Sequence, residues 1–533
     1  MSKSLPDSPD DSRDIIKRLD EIFLISEIFS SRKSFAMLGL AFSAGLPILL
    51  VYTVLSAWLR EAGVSRTAIG FFVWVGFAYS LKMLWAPLID RFRVPGFSRW
   101  LGNRRGWTLL AIFGTGAAML AMSFQDPARD LAGVALCAVL LAFSSATLDI
   151  CVDAWRVDSG TNEEQATLSA IYQLGYRFGM IMAVSGGLFF ADIGGFSLTY
   201  LLLGALAVIG GSTLLWAPAS DADTGSAGLS AGQIGVCLIT GLLFLSAISL
   251  FLGLGLREGG FLRVLGGWVG GHTSGFFSFL PDHIQVRALR GLLFFVLCLP
   301  FLAAFFFLTL GRKMLLADAT YTIPIIGDFA DIVRRTGWMA LAVIAIVATY
   351  RISDTTMGVM AMPLYIDLGY EKSVIGSVKG VFGISVMIIG AFLGGVSAIK
   401  IGLARSMVIG AVILIATNLA FAWLAGIEQP KTVYLLVTIG ADNIAAGFTG
   451  SVFIAFMSIM TSRKFTATQY ALFSSLFAFY GKSLAGFSGQ IADAVGYELF
   501  FIITSAFGIP ALILVIVTWL SGFTAKMMAS DRA

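Results

Sequence analysis

Beyond residue 34 the chain is a succession of apolar runs about 20 residues long, the length an α-helix needs to cross the hydrocarbon core of a bilayer. That repetition restricts the fold more than any other feature, and the composition agrees with it. Of 533 residues, 57% are hydrophobic and 13% charged, with mean hydropathy +0.87, whereas soluble domains carry about a quarter charged residues. The reading is an all-α polytopic membrane protein whose partner is the lipid bilayer. Its 59 glycines suit helices that approach one another closely. A net charge of +4 gives no case for nucleic acid.

Spans are expected near 35–58, 67–88, 107–124, 131–156, 166–191 and 196–217, then near 231–256 and 290–311, and finally near 337–366, 373–397, 404–426, 432–460, 466–492 and 497–520. The pattern is six, two, six, about 14 transmembrane helices. It divides the chain into a cytoplasmic N-terminal segment (1–34), a six-helix bundle (35–218), a linker with two extra helices and an amphipathic segment (219–336), a second six-helix bundle (337–521) and a cytoplasmic tail (522–533). Ile15, Leu19, Ile22 and Phe23 recur at helical spacing and predict a short amphipathic helix lying on the membrane. Residues 1–34 are polar and charged, so no signal peptide is read there. Lys and Arg gather in alternate loops, with Arg91, Arg93, Arg99, Arg104 and Arg105 together in one of them, which places both termini in the cytoplasm. Residues 257–289 resist that assignment through Arg257, Arg263 and Arg287, and a re-entrant middle pair is the other reading.

The two sets of spans look related. LSAWLREAGVSRTAIG, Leu55 to Gly70, aligns with AMPLYIDLGYEKSVIG, Ala361 to Gly376, and ADIGGF at 191–196 aligns with ADAVGY at 492–497. Parallel halves of this kind are the plan of major facilitator transporters, with the binding site between the halves near mid-membrane. The loop APLIDRFRVPGFSRWLGNRRGW, Ala86 to Trp107, resembles the inner-loop signature of that superfamily. The resemblance implies that Asp90 pairs with Arg91, Arg104 and Arg105 as a latch on the inward gate; plain positive-inside chemistry is the alternative.

Charges inside the spans are the next constraint, because a charge facing lipid costs about 3 kcal/mol or more on insertion scales. Asp149, Asp153 and Arg156 stand at i, i+4 and i+7 in the fourth span and share one helix face. Asp149 lies about 12 Å from the cytoplasmic end at 1.5 Å per residue, too deep for so short a side chain to reach water past lipid. Arg156 either snorkels or takes part in the same site. Tyr172, Gln173, Tyr176 and Arg177 follow at helical spacing in the fifth span, and Arg177 is expected to pair with Asp149. In the second half, Arg351 and Asp354 stand i, i+3, Asp442 and Asn443 lie in the fourth span and Lys482 in the fifth. Lys482 is expected beside Asp442, leaving Arg351 free for a ligand. Lys82 and Lys379, nearer the interfaces, either snorkel or bind.

Three stretches carry a narrower resemblance: AGLPILLVYTVLSAWLREAGV in the first span, YSLKMLWAPLIDR ending the second and LDICVDAWRVD ending the fourth are similar to AmpG-type muropeptide permeases, with acetyl-coenzyme A transporters as more distant relatives. The resemblance implies proton symport of GlcNAc-anhydromuramyl peptides, which are peptidoglycan breakdown products, into the cytoplasm across a bacterial inner membrane. That places the chain in peptidoglycan recycling and β-lactamase induction, as a monomer needing no cofactor beyond the proton gradient. Leu148 departs from the family, which usually has Gln there. On this reading Tyr172, Gln173, Tyr176, Arg177, Arg351, Asn443 and Lys482 bind the substrate, and Asp149, Asp153, Asp354 and Asp442 couple it to protons.

Rival classes are a membrane-embedded transferase, an ATP-driven pump, a transport-like receptor, and a carrier of another large anion such as acetyl-coenzyme A or a peptide. A transferase needs a base or a metal, yet the only histidines are His272 and His283 in one loop. Cys137, Cys151, Cys237 and Cys298 lie in apolar runs without metal-ligand spacing. YGKS at 480–483 has Leu476 where a phosphate loop requires glycine. No enzyme and no metal site are expected.

Overall fold

The computed structural model describes residues 31–82, 85, 89, 93–94, 96–159, 164–218, 332, 334–337, 339–461 and 466–523. The expected N-terminal amphipathic helix, the middle pair at 231–256 and 290–311, and both Asp90 and Arg91 lie outside the described residues. Within them all regular structure is helical. The first half contains α1 (Arg32–Glu61), α2 (Arg66–Phe72, continued through Val73–Gly76 and Phe77–Leu81), α3 (Asn103–Ser123), α4 (Leu131–Ser159), α5 (Glu164–Ile181, continued through Met182–Gly186 to a break at Gly194) and α6, which resumes at Gly195. The second contains α7 (Met339–Asp367), α8 (Lys372–Lys400), α9 (Leu403–Ala425), α10 (Thr432–Met460), α11 (Thr466–Ala485, resumed at Ser488) and α12, which follows a break at Gly496 and ends at Leu520.

Nine stretches among the described residues are long and apolar enough to cross a membrane. Two of these, Ile171–Trp216 and Ser488–Leu520, are bent by the glycine breaks into the ends of one helix and the body of the next. The turns repeat between the halves. Gly63 and Gly369 have φ of 79° and 81°, Gly102 and Gly402 84° and 92°, and Gly195 and Gly496 both 77°. Glycine adopts this left-handed backbone without the Cβ penalty of other residues, so the aligned glycines in the sequence mark the same corners in space.

Helix packing rests on close backbone approach. A Cβ on Gly45 of α1 would lie 2.3 Å from Tyr176 O of α5, and one on Gly447 of α10 would lie 2.0 Å from Met387 O of α8. Between helices in lipid, such approach replaces the hydrophobic drive that water supplies elsewhere. Several helices are also irregular where they pass the centre. α1, α5 and α8 contain π turns at Leu50–Val54, Met182–Gly186 and Ser377–Phe382, and α7 breaks at Arg351 with φ −113° and ψ 17°. The turn in α5 touches those in α1 and α8, and π turns concentrate at functional positions.

Substituting Gly447→Val should force α8 and α10 apart and destabilise the fold by about 1–3 kcal/mol, the usual cost of overpacking. Gly395→Ala, whose added carbon meets nothing within 4 Å, should leave thermal unfolding of the detergent-solubilised protein unchanged.

Candidate functional site

At one face of the molecule the halves are tied by two reciprocal charge clusters. Arg66, at the start of α2, reaches Asp367 at the end of α7 (3.7 Å) and Asp493 in the bend between α11 and α12 (3.9 Å). Lys372, at the start of α8, reaches Glu61 at the end of α1 (2.9 Å) and Asp192 in the bend between α5 and α6 (3.8 Å). Arg66 and Lys372, Glu61 and Asp367, and Asp192 and Asp493 hold matching places in the aligned stretches. The backbone follows the same rule. Thr67 N donates to Asp493 and Ser373 N to Asp192, at 3.0 and 2.6 Å. Each aspartate therefore closes the exposed N-terminus of a helix in the other half, where a negative charge is favourable. Aromatic rings back both cations, Tyr497 at 4.1 Å from Arg66 and Phe196 at 5.3 Å from Lys372.

The clusters differ in one respect. Asp367 also accepts both arms of Arg60, at 2.5 and 2.7 Å, and the Tyr497 hydroxyl at 2.7 Å, whereas the aligned counterpart of Arg60 is Ile366.

Beneath this face, between α1, α2, α7, α8 and α11, lies a cavity of 340 Å³. Its polar lining is Tyr52, Thr53 and Ser56 of α1, Thr355 of α7, Lys379 of α8 and Lys482 of α11; the rest is apolar, and no described lining residue is acidic. The π turns of α1 and α8 carry Tyr52 and Lys379. Lys482 joins the halves by donating to Gly76 O and Ser80 Oγ of α2, both at 2.7 Å.

In the first half, Asp149 is buried and its charged partner is Lys82, 3.7 Å away. Its Oδ1 has no hydrogen-bond partner among the described residues. Asp153 pairs with Arg156 at 3.7 Å; Arg156 also donates to Ser169 Oγ at 2.5 Å and stands 5.6 Å from the Tyr172 ring. The Tyr172 and Tyr176 rings are 5.7 Å apart. In the second half, Arg351 pairs with Asp354 at 2.5 Å. Asp442 lies within electrostatic reach of Asp354, Lys379 and Arg351, and Asn443 donates to Ile439 O of its own helix at 2.8 Å.

Three expected pairings are corrected. Arg177 does not meet Asp149: its guanidinium lies against Met180 Sδ at 3.9 Å, because α5 packs chiefly along α1 while Asp149 faces α2. Lys482 turns across the interface to α2 instead of to Asp442. Arg351 is not free, since the break in α7 lets it fold onto Asp354. Gln173 is exposed on α5. Of the expected binding residues only Lys482 lines the cavity, and Tyr52, Thr355 and Lys379 join it there. Lys379, expected nearer an interface and either to snorkel or to bind, lines the cavity. For the latch, Arg105 donates to Leu101 O and Ala217 O, at 2.7 and 3.0 Å, tying α3 to the end of α6; Arg104 stands beside it at the start of α3.

The same architecture occurs in transporters of known structure. The fold matches that of a POT family transporter in complex with 5-aminolevulinic acid, with TM-score 0.61, 14% identity and coverage of 93% of this chain and 96% of that one. It also matches a peptide transporter POT in complex with sulfate, with TM-score 0.62, 12% identity and coverage of 93% and 94%. The fold is the one these transporters share, and the curated relatives that the chain resembles are named as transporters and permeases. The chain is similar, over nearly its whole length, to AmpG permeases, as the motifs in α1, α2 and α4 led one to expect. It is 26% identical over 488 residues to the putative transporter AmpG 4 of Rickettsia conorii (92% of this chain, 97% of the relative). It is 27% identical over 491 residues to the anhydromuropeptide permease of Escherichia coli K12 (92% and 80%). The family described as acetyl-coenzyme A transporter 1 matches residues 34–202.

Because Asp367 gathers more donors than Glu61, Asp367→Asn should loosen the clamped face more than Glu61→Gln. Spin labels at Ala128 and Gln429, exposed in the α3–α4 and α9–α10 connections, should report a longer or broader distance distribution in the first variant than in the second.

Proposed function

We propose that this protein imports GlcNAc-anhydromuramyl peptides across a bacterial inner membrane by proton symport and alternating access. The observation that carries the reading is the reciprocal clamp, which closes one face over a cavity lined from both halves. With both termini in the cytoplasm the clamped face is periplasmic, so the structure corresponds to an inward-facing arrangement. The name of the Escherichia coli relative, anhydromuropeptide permease, supports the cargo.

In this mechanism the sugar end of the cargo lies toward Tyr172, Gln173 and Tyr176, where paired rings offer a stacking surface. Arg177, Arg351, Asn443 and Lys482 supply polar contacts around the path, and Asp90, Arg91, Arg104 and Arg105 latch the opposite face in the other state. Asp149, Asp153, Asp354 and Asp442 are the candidates for the coupling proton. Asp149 is the sharpest of them, being buried, held by a single lysine and left with one oxygen unbonded among the described residues. A proton on Asp149 cancels its attraction to Lys82, which weakens the hold of α4 on the end of α2 and on the α2 segment that holds Lys482.

Uptake of labelled anhydromuropeptide by proteoliposomes, with and without a pH gradient, tests the function; absence of uptake in both conditions would remove the cargo assignment. Asp149→Asn should abolish gradient-driven uptake while substrate exchange remains measurable. Loss of both in a folded variant would assign Asp149 to binding or to structure. Acetyl-coenzyme A is the second reading, from the family match over residues 34–202, and its competition for uptake would favour it.

A further inference from the structure

Lys379 occupies an unusual position for a cation. It is half-buried in the π turn of α8, faces the central cavity and stands 5.8 Å from the Tyr365 ring. Asp442 and Asp354 are near enough to act on its charge, yet no carboxylate oxygen among the described residues comes within the 4.0 Å of an ion pair. An ammonium has three donors, and those of Lys379 are not spent on any described acid. Lys482 lines the same cavity with two of its three donors committed to Gly76 O and Ser80 Oγ. The cavity wall around them carries the hydroxyls of Tyr52, Ser56 and Thr355, and none of its described lining residues is acidic.

Two cations of the second half, on α8 and α11, line one cavity whose described lining holds no acid, which gives an anion a place to bind. Charges this deep in a membrane protein mark ligand paths more often than structure. We propose that Lys379 and Lys482 form a carboxylate-binding subsite that takes a free acid group of the peptide stem, the role that the sequence had suggested for Arg351. The proposal rests on the cargo assignment above and deepens it. The volume agrees: 340 Å³ lies at the lower end of small-molecule sites, about 300–1,000 Å³, and holds one end of a disaccharide-peptide while the sugars extend away from the clamp. An anion bridging α8 and α11 also reaches the interface between the halves, because Lys482 holds Gly76 O and Ser80 Oγ of α2 in the first half.

The test is equilibrium binding to the full chain in detergent, with anhydromuramyl peptides as the free acid and as the amide, and with N-acetyl dipeptides in the same two forms. Wild type should prefer acid over amide by about tenfold or more, as one charge-assisted contact provides. Lys379→Gln should bind both forms alike, and Lys379→Arg should restore much of the preference, which separates the charge from any effect on folding. Equal binding of acid and amide by wild type, or an undiminished preference in a folded Lys379→Gln protein, overturns the subsite. An acid preference among the dipeptides that depends on Lys379, without binding or transport of any muropeptide, keeps the subsite and removes the cargo assignment. Coenzyme A binding more tightly than either acid, with the same dependence on Lys379, overturns the carboxylate assignment in favour of phosphate.

Discussion

The arrangement depends on attraction between unlike charges at the face where α1, α2, α5, α7, α8 and α11 meet. Each half contributes two acids and a matched cation, Arg66 or Lys372, received by the acids of the other half, and the first half adds Arg60 on Asp367. Pairs near water are individually weak, about 0–1 kcal/mol, because solvation competes with them. Apolar packing joins the halves beside them, with Phe487 of α11 against Phe71 and Trp74 of α2 at 5.9 and 5.4 Å between ring centres. Helix N-termini capped by Asp192 and Asp493 add direction to the attraction, so the two halves meet in one register.

Farther in, the charges are arranged differently. Lys82 with Asp149, Arg156 with Asp153, and Arg351 with Asp354 all pair within one half. Buried ions need partners to offset lost hydration, and here those partners come from the same half. The two cavity lysines stand apart from this pattern: Lys482 is satisfied by uncharged groups of the other half, and Lys379 by no contact as close as an ion pair among the described residues. The inner ion pairs are thus closed within each bundle, and neither cavity lysine has an ion pair among the described residues.

Much of the architecture was legible from the chain. Helix positions followed from apolar length, and the relation between the halves from short matched stretches whose glycines hold the same left-handed turns. Those stretches contained the clamp as well, since Glu61, Arg66, Asp367 and Lys372 all fall inside them, but nothing in one dimension reveals that the partner of each cation lies in the other copy. Pairings in the interior were harder for a related reason. Depth along a helix can be counted, whereas azimuth depends on which neighbour the helix packs against. Asp149 and Arg177 are close in depth, yet α4 presents the former to α2 while α5 follows α1. For Arg351 the obstacle was local, a break in α7 that no proline or glycine at that position announced.

The wide turns in α1, α5 and α8 have a consequence for motion. A π turn holds one residue more than the regular spiral around it, and that surplus can be passed along the chain. Passing it by one position swings the side chain concerned by about 100°, the angular step of a helix, with local exchange of backbone hydrogen bonds and without disturbing either end. Tyr52 and Lys379 sit in two such turns. The walls of the cavity can therefore be re-dealt while Glu61 and Lys372, at the near ends of the same helices, stay in place, so that grip on a ligand and closure of the face are separable degrees of freedom.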